Sequence, residues 1–215
     1  LAARHLQFDT GPGGTSKVLC GFLGCDRRAF EPLCGSLPPV FQVDLGDRMQ
    51  TLVPYAVANA LDDSPGAEGL RGRLAELLFL GALRIYLREL PANASGWLAG
   101  VRDSVIGRAM QAMHADPQRH WTLDELAATA ASSRSAVAAR FSELLGESPM
   151  RYLTRLRMAL AARLLTDSHK SLAAIAEEVG YESPAAFQRA FKRAFDMPPA
   201  AWRKNATEVP TRSAP

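Results

Sequence analysis

Between Ser183 and Arg193 the chain sets Ser183, Ala185, Gln188, Arg189, Lys192 and Arg193 around two phenylalanines, Phe187 and Phe191, four residues apart. If the segment is helical, the phenylalanines share one face and Ala185, Gln188, Arg189 and Lys192 form a row on the other. A guanidinium is a planar fork of donors, a carboxamide pairs a donor with an acceptor, and an ammonium is a point charge. Those groups can read guanine and adenine edges and grip phosphate. Arg189 and Gln188 are therefore the first candidates for base reading, and Lys192 and Arg193 for phosphate contact. About fifty residues upstream the plan recurs: Val137 and Phe141 face inward, with Arg134, Ser135, Ala138, Ala139 and Ser142 opposite and Arg140 alongside. Alanine can touch a thymine methyl but offers no hydrogen bond, so this row is expected to read through Arg134, Ser135 and DNA shape, or to specify weakly.

Other chemistry is thinner. Cys20, Cys25 and Cys34 lie close together, with Arg27 and Arg28 nearby to lower a thiol pKa. A redox pair at Cys20 and Cys25 is the rival mechanism; small buried cysteines packing as apolar residues is the preferred reading. No two cysteines have the tight spacing of a zinc site, so no metal is expected even with His5 counted. His114, His120 and His169 are scattered and read as surface or capping residues. There is no Gly-rich phosphate loop, nucleophile elbow or recognisable carboxylate pair, which argues against an enzyme and gives no cofactor.

The two candidate rows are positioned by a repeat. Thr122-Leu123-Asp124-Glu125-Leu126-Ala127-Ala128-Thr129-Ala130-Ala131 matches Ser171-Leu172-Ala173-Ala174-Ile175-Ala176-Glu177-Glu178-Val179-Gly180. Each copy opens on a hydroxyl suited to an N-cap, and Thr122 with Glu125 fits a capping box. Gly180 suits a turn with positive φ, where Ala131 of the first copy would be less comfortable. A second helix starts at Ser133 or Ser183, and each copy closes alike, Pro149-Met150-Arg151-Tyr152 against Pro199-Ala200-Ala201-Trp202. Helix, tight turn, helix is the helix-turn-helix arrangement, whose second helix fits the major groove of B-DNA. Met150 to Thr166 links the copies as a helix of about 25 Å, able to hold two recognition helices near one DNA turn apart. Arg155 and Arg157 on this connector read as surface charges or intradomain salt bridges.

The rest of the chain says less. Its 215 residues allow one large or two small domains. The net charge is +3, and the basic excess lies wholly in the second half, where Lys and Arg exceed Asp and Glu. That suits a polyanion partner. No apolar run is long enough for a membrane span, no signal peptide is evident, and a cytoplasmic protein is expected. Residues 1–16 read as a polar, Gly-rich loop, Val18–Leu23 as a strand, and Val40–Val43 after Pro38-Pro39 as another. Asp47–Leu61, Leu70–Leu90 and Asp103–Ala115 read as helices. The Leu70–Leu90 stripe is read first as core, and otherwise as a homodimer surface or as the docking face of a helical interaction module without DNA binding.

From about Ile106 to Lys204 the chain resembles the AraC/XylS family of transcription regulators. The resemblance is most specific at Ile175-Ala176-Glu177-Glu178-Val179-Gly180-Tyr181, Phe187 to Lys192, Phe195 and Pro198-Pro199. It implies a mainly α protein with a paired helix-turn-helix domain of about seven helices. Val18-Leu19-Cys20-Gly21-Phe22 and the Leu-Pro-Pro stretch resemble the end of a cupin-type sensor in one AraC subgroup, with most of that barrel expected upstream of Leu1. The expected division is a partial sensor with two helices over 1–96, a DNA-binding domain over 97–205 and a disordered tail over 206–215. Double-stranded DNA is the expected partner, with RNA polymerase a further candidate.

Overall fold

The computed structural model describes residues 3–9, 15–21, 35–46, 49, 51–60 and 62–208. Contacts divide the chain into two compact units, the first holding the N-terminal strands and residues 37–92, the second residues 93 onward.

In the first unit, β1 (Ala3–Asp9) pairs antiparallel with β2 (Thr15–Gly21), in register from Ala3 opposite Gly21 to Asp9 opposite Thr15. The polar-loop reading of residues 1–16 is therefore corrected: β1 lies inside it, placing Leu6 opposite Val18 and Phe8 opposite Ser16. The neighbouring glycines hid a short alternating strand. The strand expected over Val40–Val43 is also corrected, because that segment has no regular structure. Its aromatic side chain finds a helix instead of a paired edge: the Phe41 ring lies 4.8 Å from that of Tyr86. Two helices follow, α1 (Leu52–Ala58) and α2 (Ala67–Glu89). Leu74 and Ile85 of α2 are buried, whereas Leu77 and Leu80 are each 47% exposed, so its apolar stripe is only partly core.

The second unit contains eight helices among the described residues: α3 (Trp97–Arg102), α4 (Ile106–Ala115), α5 (Leu123–Thr129), α6 (Arg134–Leu145), α7 (Pro149–Asp167), α8 (Leu172–Glu178), α9 (Pro184–Phe195) and α10 (Pro199–Glu208). The short α3, of six residues, lies ahead of the helix that the sequence pattern marks from Asp103. Asp103 interrupts the helix expected from that residue onward: its Oδ1 accepts the amides of Val105 and Ile106 at 2.9 Å each, so α4 starts only afterwards.

Two apolar cores fill this unit. The first gathers Ile106, Ala109, Met110 and Met113 of α4, Leu126 and Ala127 of α5, Val137 and Phe141 of α6, and Tyr152 and Leu153 of α7. The second gathers Met158, Ala161, Ala162 and Leu165 of α7, Ile175 and Ala176 of α8, and Phe187 and Phe191 of α9. The connector α7 thus gives its first half to one core and its second half to the other. At 19 residues it is about 28 Å long.

Candidate nucleic-acid interface

Each copy of the repeat is built by the same local devices. Thr122 Oγ1 accepts the Glu125 amide while the Glu125 carboxylate accepts the Thr122 amide, a complete capping box on α5. Ser171 caps α8 through the amide of Ala174 at 3.1 Å. The helix-ending turns also match: the Ser132 amide reaches the Ala127 carbonyl at 2.9 Å, and the Tyr181 amide the Ala176 carbonyl at 2.8 Å. Ala131 and Gly180 hold the left-handed position, at φ 49° and 78°. The second turn is one residue longer, Gly180-Tyr181-Glu182 against Ala131-Ser132. Ser133 and Ser183 then cap α6 and α9, each accepting the amide three residues on at 3.2 Å.

Aromatic contacts hold the second helix of each copy. Phe141 meets Tyr152 edge-on at 5.8 Å, and Phe191 meets Trp202 edge-on at 5.6 Å. Tyr181, Phe187 and Phe195 extend the second cluster. With these rings inward, Ala185, Gln188, Arg189, Lys192 and Arg193 of α9 are all exposed, as is the cap Ser183. Among the described residues, Gln188, Arg189 and Lys192 have no hydrogen-bond or ion-pair partner. Burial raises the Tyr181 hydroxyl pKa, against the opposing charges of Arg157 and then Arg193. An unpaired row of donors on a rigid, well-packed helix is what groove reading requires.

The corresponding row of α6 differs. Arg134 is exposed but pairs with Asp124 at 3.2 Å, a surface ion pair that binding could rearrange at small cost. Ser135 shares a hydrogen bond with the Ser133 hydroxyl at 3.1 Å. Ala139 is exposed and Ala138 half-buried. Arg140 is committed: Nε and a terminal nitrogen both hold Asp103 Oδ2, tying α6 to the α3–α4 junction. Burial alone would raise the Asp103 pKa, but the Arg140 hydrogen bond and the Ile106 and Val105 amides outweigh it and bring the value down. The helical spacing that places Arg140 among the DNA-contact candidates does not show this partner, an acid 37 residues away in sequence.

On the connector, Arg155 makes the expected intradomain bridge, to Glu147 at 2.7 Å. Arg157 makes none of that kind and instead donates to three backbone carbonyls, of Pro117, Gln118 and Arg119. His114 is exposed, in keeping with its reading as a surface residue, and hydrogen-bonds through Nε2 to the Tyr152 hydroxyl at 2.7 Å, to which Trp97 Nε1 donates at 3.1 Å. Of the redox candidates, Cys25 and Cys34 lie outside the described residues, and Cys20 is placed only as a backbone position of β2 opposite Arg4. No helix among the described residues is long and apolar enough to cross a membrane.

A tandem helix-turn-helix unit of this construction defines a class, and comparison with known proteins assigns it. A helix-turn-helix domain model matches residues 126–205 and a cupin model residues 2–88. An AraC-like transcription regulator of Streptomyces lividans is 40% identical over 201 residues, covering 92% of this chain and 66% of that protein. The transcriptional regulator MtrA of Neisseria gonorrhoeae is 31% identical over 210 residues, covering 93% of this chain and 70% of that protein. A solved AraC-type regulator from Chromobacterium violaceum shares 25% identity and a TM-score of 0.48, over 51% of this chain and 97% of its own. The chain belongs to the AraC family of transcription regulators. It spans about two thirds of the length of the curated relatives it matches.

Proposed function

We propose that this chain binds duplex DNA with residues 97–205, laying α6 and α9 in successive major grooves, and that residues 1–96 are the sensor part of a regulator working in the cytoplasm. The observation that carries this reading is the row on α9, where Gln188, Arg189 and Lys192 are exposed and unpartnered on a helix fixed from behind by buried Phe187 and Phe191. Arg189 and Gln188 read base edges; Ser183, Lys192 and Arg193 hold the backbone; Ala185 stands beside them. The first helix contributes Arg134, Ser135, Ala138 and Ala139 and reads mainly through shape and methyl contact, so most sequence selectivity sits in the second. Arg140 supports α6 from its ion pair with Asp103. The exposed Leu77 and Leu80 of α2 offer a second copy of the chain a packing surface, and a homodimer belongs to this reading.

The test begins with selection from a random duplex pool, followed by titration of the selected sequence at several salt concentrations. Arg189→Ala should cost about 1–3 kcal/mol on the selected site and relax preference at one base pair. Lys192→Ala should weaken binding to all duplexes and shallow the log–log salt slope by about one unit. A wild-type chain that retards no duplex at low salt ends the reading; unchanged affinity in Arg189→Ala ends the assignment of the α9 row.

A further inference from the structure

Gly180 poses a question that its φ does not answer. The equivalent turn position in the first copy holds Ala131 in the same left-handed region, so this turn accepts a Cβ. What excludes one at Gly180 is its surroundings: a Cβ there would lie 2.4 Å from the Gln118 carbonyl oxygen and 2.7 Å from a terminal nitrogen of Arg157. Gly146, another left-handed glycine of this unit, would meet nothing within 4 Å. The second copy's turn therefore presses against the loop that precedes α5 in the first copy, and Arg157 lies in the seam. Its Nε donates to the Pro117 carbonyl at 2.7 Å, and one terminal nitrogen donates to the carbonyls of Gln118 at 3.2 Å and Arg119 at 2.9 Å. The guanidinium carbon is 6.0 Å from the Tyr181 ring centre. Burial lowers the Arg157 pKa, with Tyr181 opposing, as expected of a group enclosed between elements. Arg157 also sits on α7 where the connector passes from one core to the other, between Leu153 and Met158.

We infer that Arg157, wedged against Gly180, is a latch that fixes the angle and separation of the two helix-turn-helix units, and so sets which spacing of DNA half-sites the chain accepts. The spacing consequence rests on the DNA-binding reading above; the latch itself does not. A lone connector helix would leave the units free to bend about its middle. Three hydrogen bonds from one planar group to consecutive carbonyls remove that freedom, and no other side chain can make them. Lysine places a point charge there without the fork. Because the acceptors are backbone carbonyls, the side chains at 117–119 do not decide the contact. One base pair of displacement turns a half-site by roughly 35° and moves it about 3.4 Å, so a rigid pair of units must discriminate such steps. Arg157 is thus a positioning residue that need not touch DNA.

The experiment takes the full chain, the bipartite duplex it selects from a random pool, and versions with one or two base pairs inserted or removed between the two elements. Wild type should lose at least tenfold in affinity per step. Arg157→Ala should flatten that profile to within about threefold while binding each single element as before, and Arg157→Lys should restore it only in part. Gly180→Ala should flatten it as well, whereas Gly146→Ala should not. A uniform loss of affinity in Arg157→Ala with the profile intact overturns the inference. Should wild type select no bipartite duplex, the DNA reading fails, and the latch is judged by amide hydrogen exchange. Arg157→Ala should then let the amides of α5–α6 and α8–α9 exchange as two separate groups where wild type exchanges them as one. Unchanged grouping overturns the latch.

Discussion

Arg140 stands one residue before buried Phe141 on α6, and Arg189 two before buried Phe191 on α9; what separates the two arginines is what they touch. Arg189 is exposed and unpartnered among the described residues, while Arg140 lies on the Asp103 carboxylate, whose side chain is only 9% exposed. Arg140→Ala should therefore act on folding before it acts on DNA. The Asp103 carboxyl loses its strongest hydrogen-bond partner, its pKa rises, and the α3–α4 junction loosens. Because the folded value is depressed in wild type, this contribution is present above the ordinary carboxylate range and is lost as pH falls through the folded value. Thermal melts at pH 7 and pH 3 give the check. At pH 7 Arg140→Ala should melt lower than wild type; near pH 3 the difference should shrink. A variant that melts like wild type at pH 7 yet binds DNA poorly would return Arg140 to the interface. Exposure and facing were legible in the helical spacing of both rows. The partner of Arg140 was not, because local periodicity carries no record of an acid 37 residues upstream.

At the scale of elements, the parts read correctly are those whose signals are local. The hydroxyl caps, the matched apolar positions and the tight turns place α5, α6, α8 and α9, and in the structure each capping hydroxyl accepts the amide three residues on. The parts misread had weak or conflicting local signals. A six-residue helix such as α3 is too short to show a period, and β1 sits beside a glycine run that reads as loop. The turn after α5 shows that a local conflict can be read and still be tolerated. Ala131 takes φ 49° because the Ser132 amide bond to Ala127 and the start of α6 leave it no alternative. An L-residue there costs roughly 1–2 kcal/mol, against about 0.5–1 kcal/mol for the extra freedom a glycine loses on folding. Ala131→Gly should therefore stabilise the unit by up to about 1 kcal/mol, read as a higher denaturant midpoint with unchanged slope. A lower midpoint would mean that the Ala131 methyl makes a packing contribution larger than its strain.

Over the whole second unit the titratable groups are unevenly placed, and this sets an order of events in acid. The groups with depressed acid or histidine values among the described residues of this unit, His114, Asp103 and Glu125, all lie in the first copy or in the helices that precede it. Enclosure of its ring beside Tyr152, and then the nearby Arg155 charge, lower the His114 pKa and favour its neutral form in the folded protein, although the residue as a whole is exposed. Its contribution is complete above the ordinary histidine value of about 6.5 and is lost as pH falls below it toward the folded value. Glu125 is held down to about 2 by the Arg119 hydrogen bond and then by the amide and hydroxyl of Thr122. Its contribution, with that of Asp103, goes at lower pH, and the α5 capping box goes with it. In the second copy the shifted groups are Tyr181, raised by burial, and Arg157, lowered by it, and neither changes charge in acid. The first core should therefore loosen before the second as pH falls from 7 toward 2, first as His114 protonates and again when the two carboxylates do. Amide exchange of α6 around Val137 and Phe141, compared with α9 around Phe187 and Phe191, resolves the order. His114→Gln should remove the earlier step and leave the later one. Simultaneous loss of protection in α6 and α9 at every pH would show that the two cores open as a single body, with the seam at Arg157 stronger than the charges that acid removes.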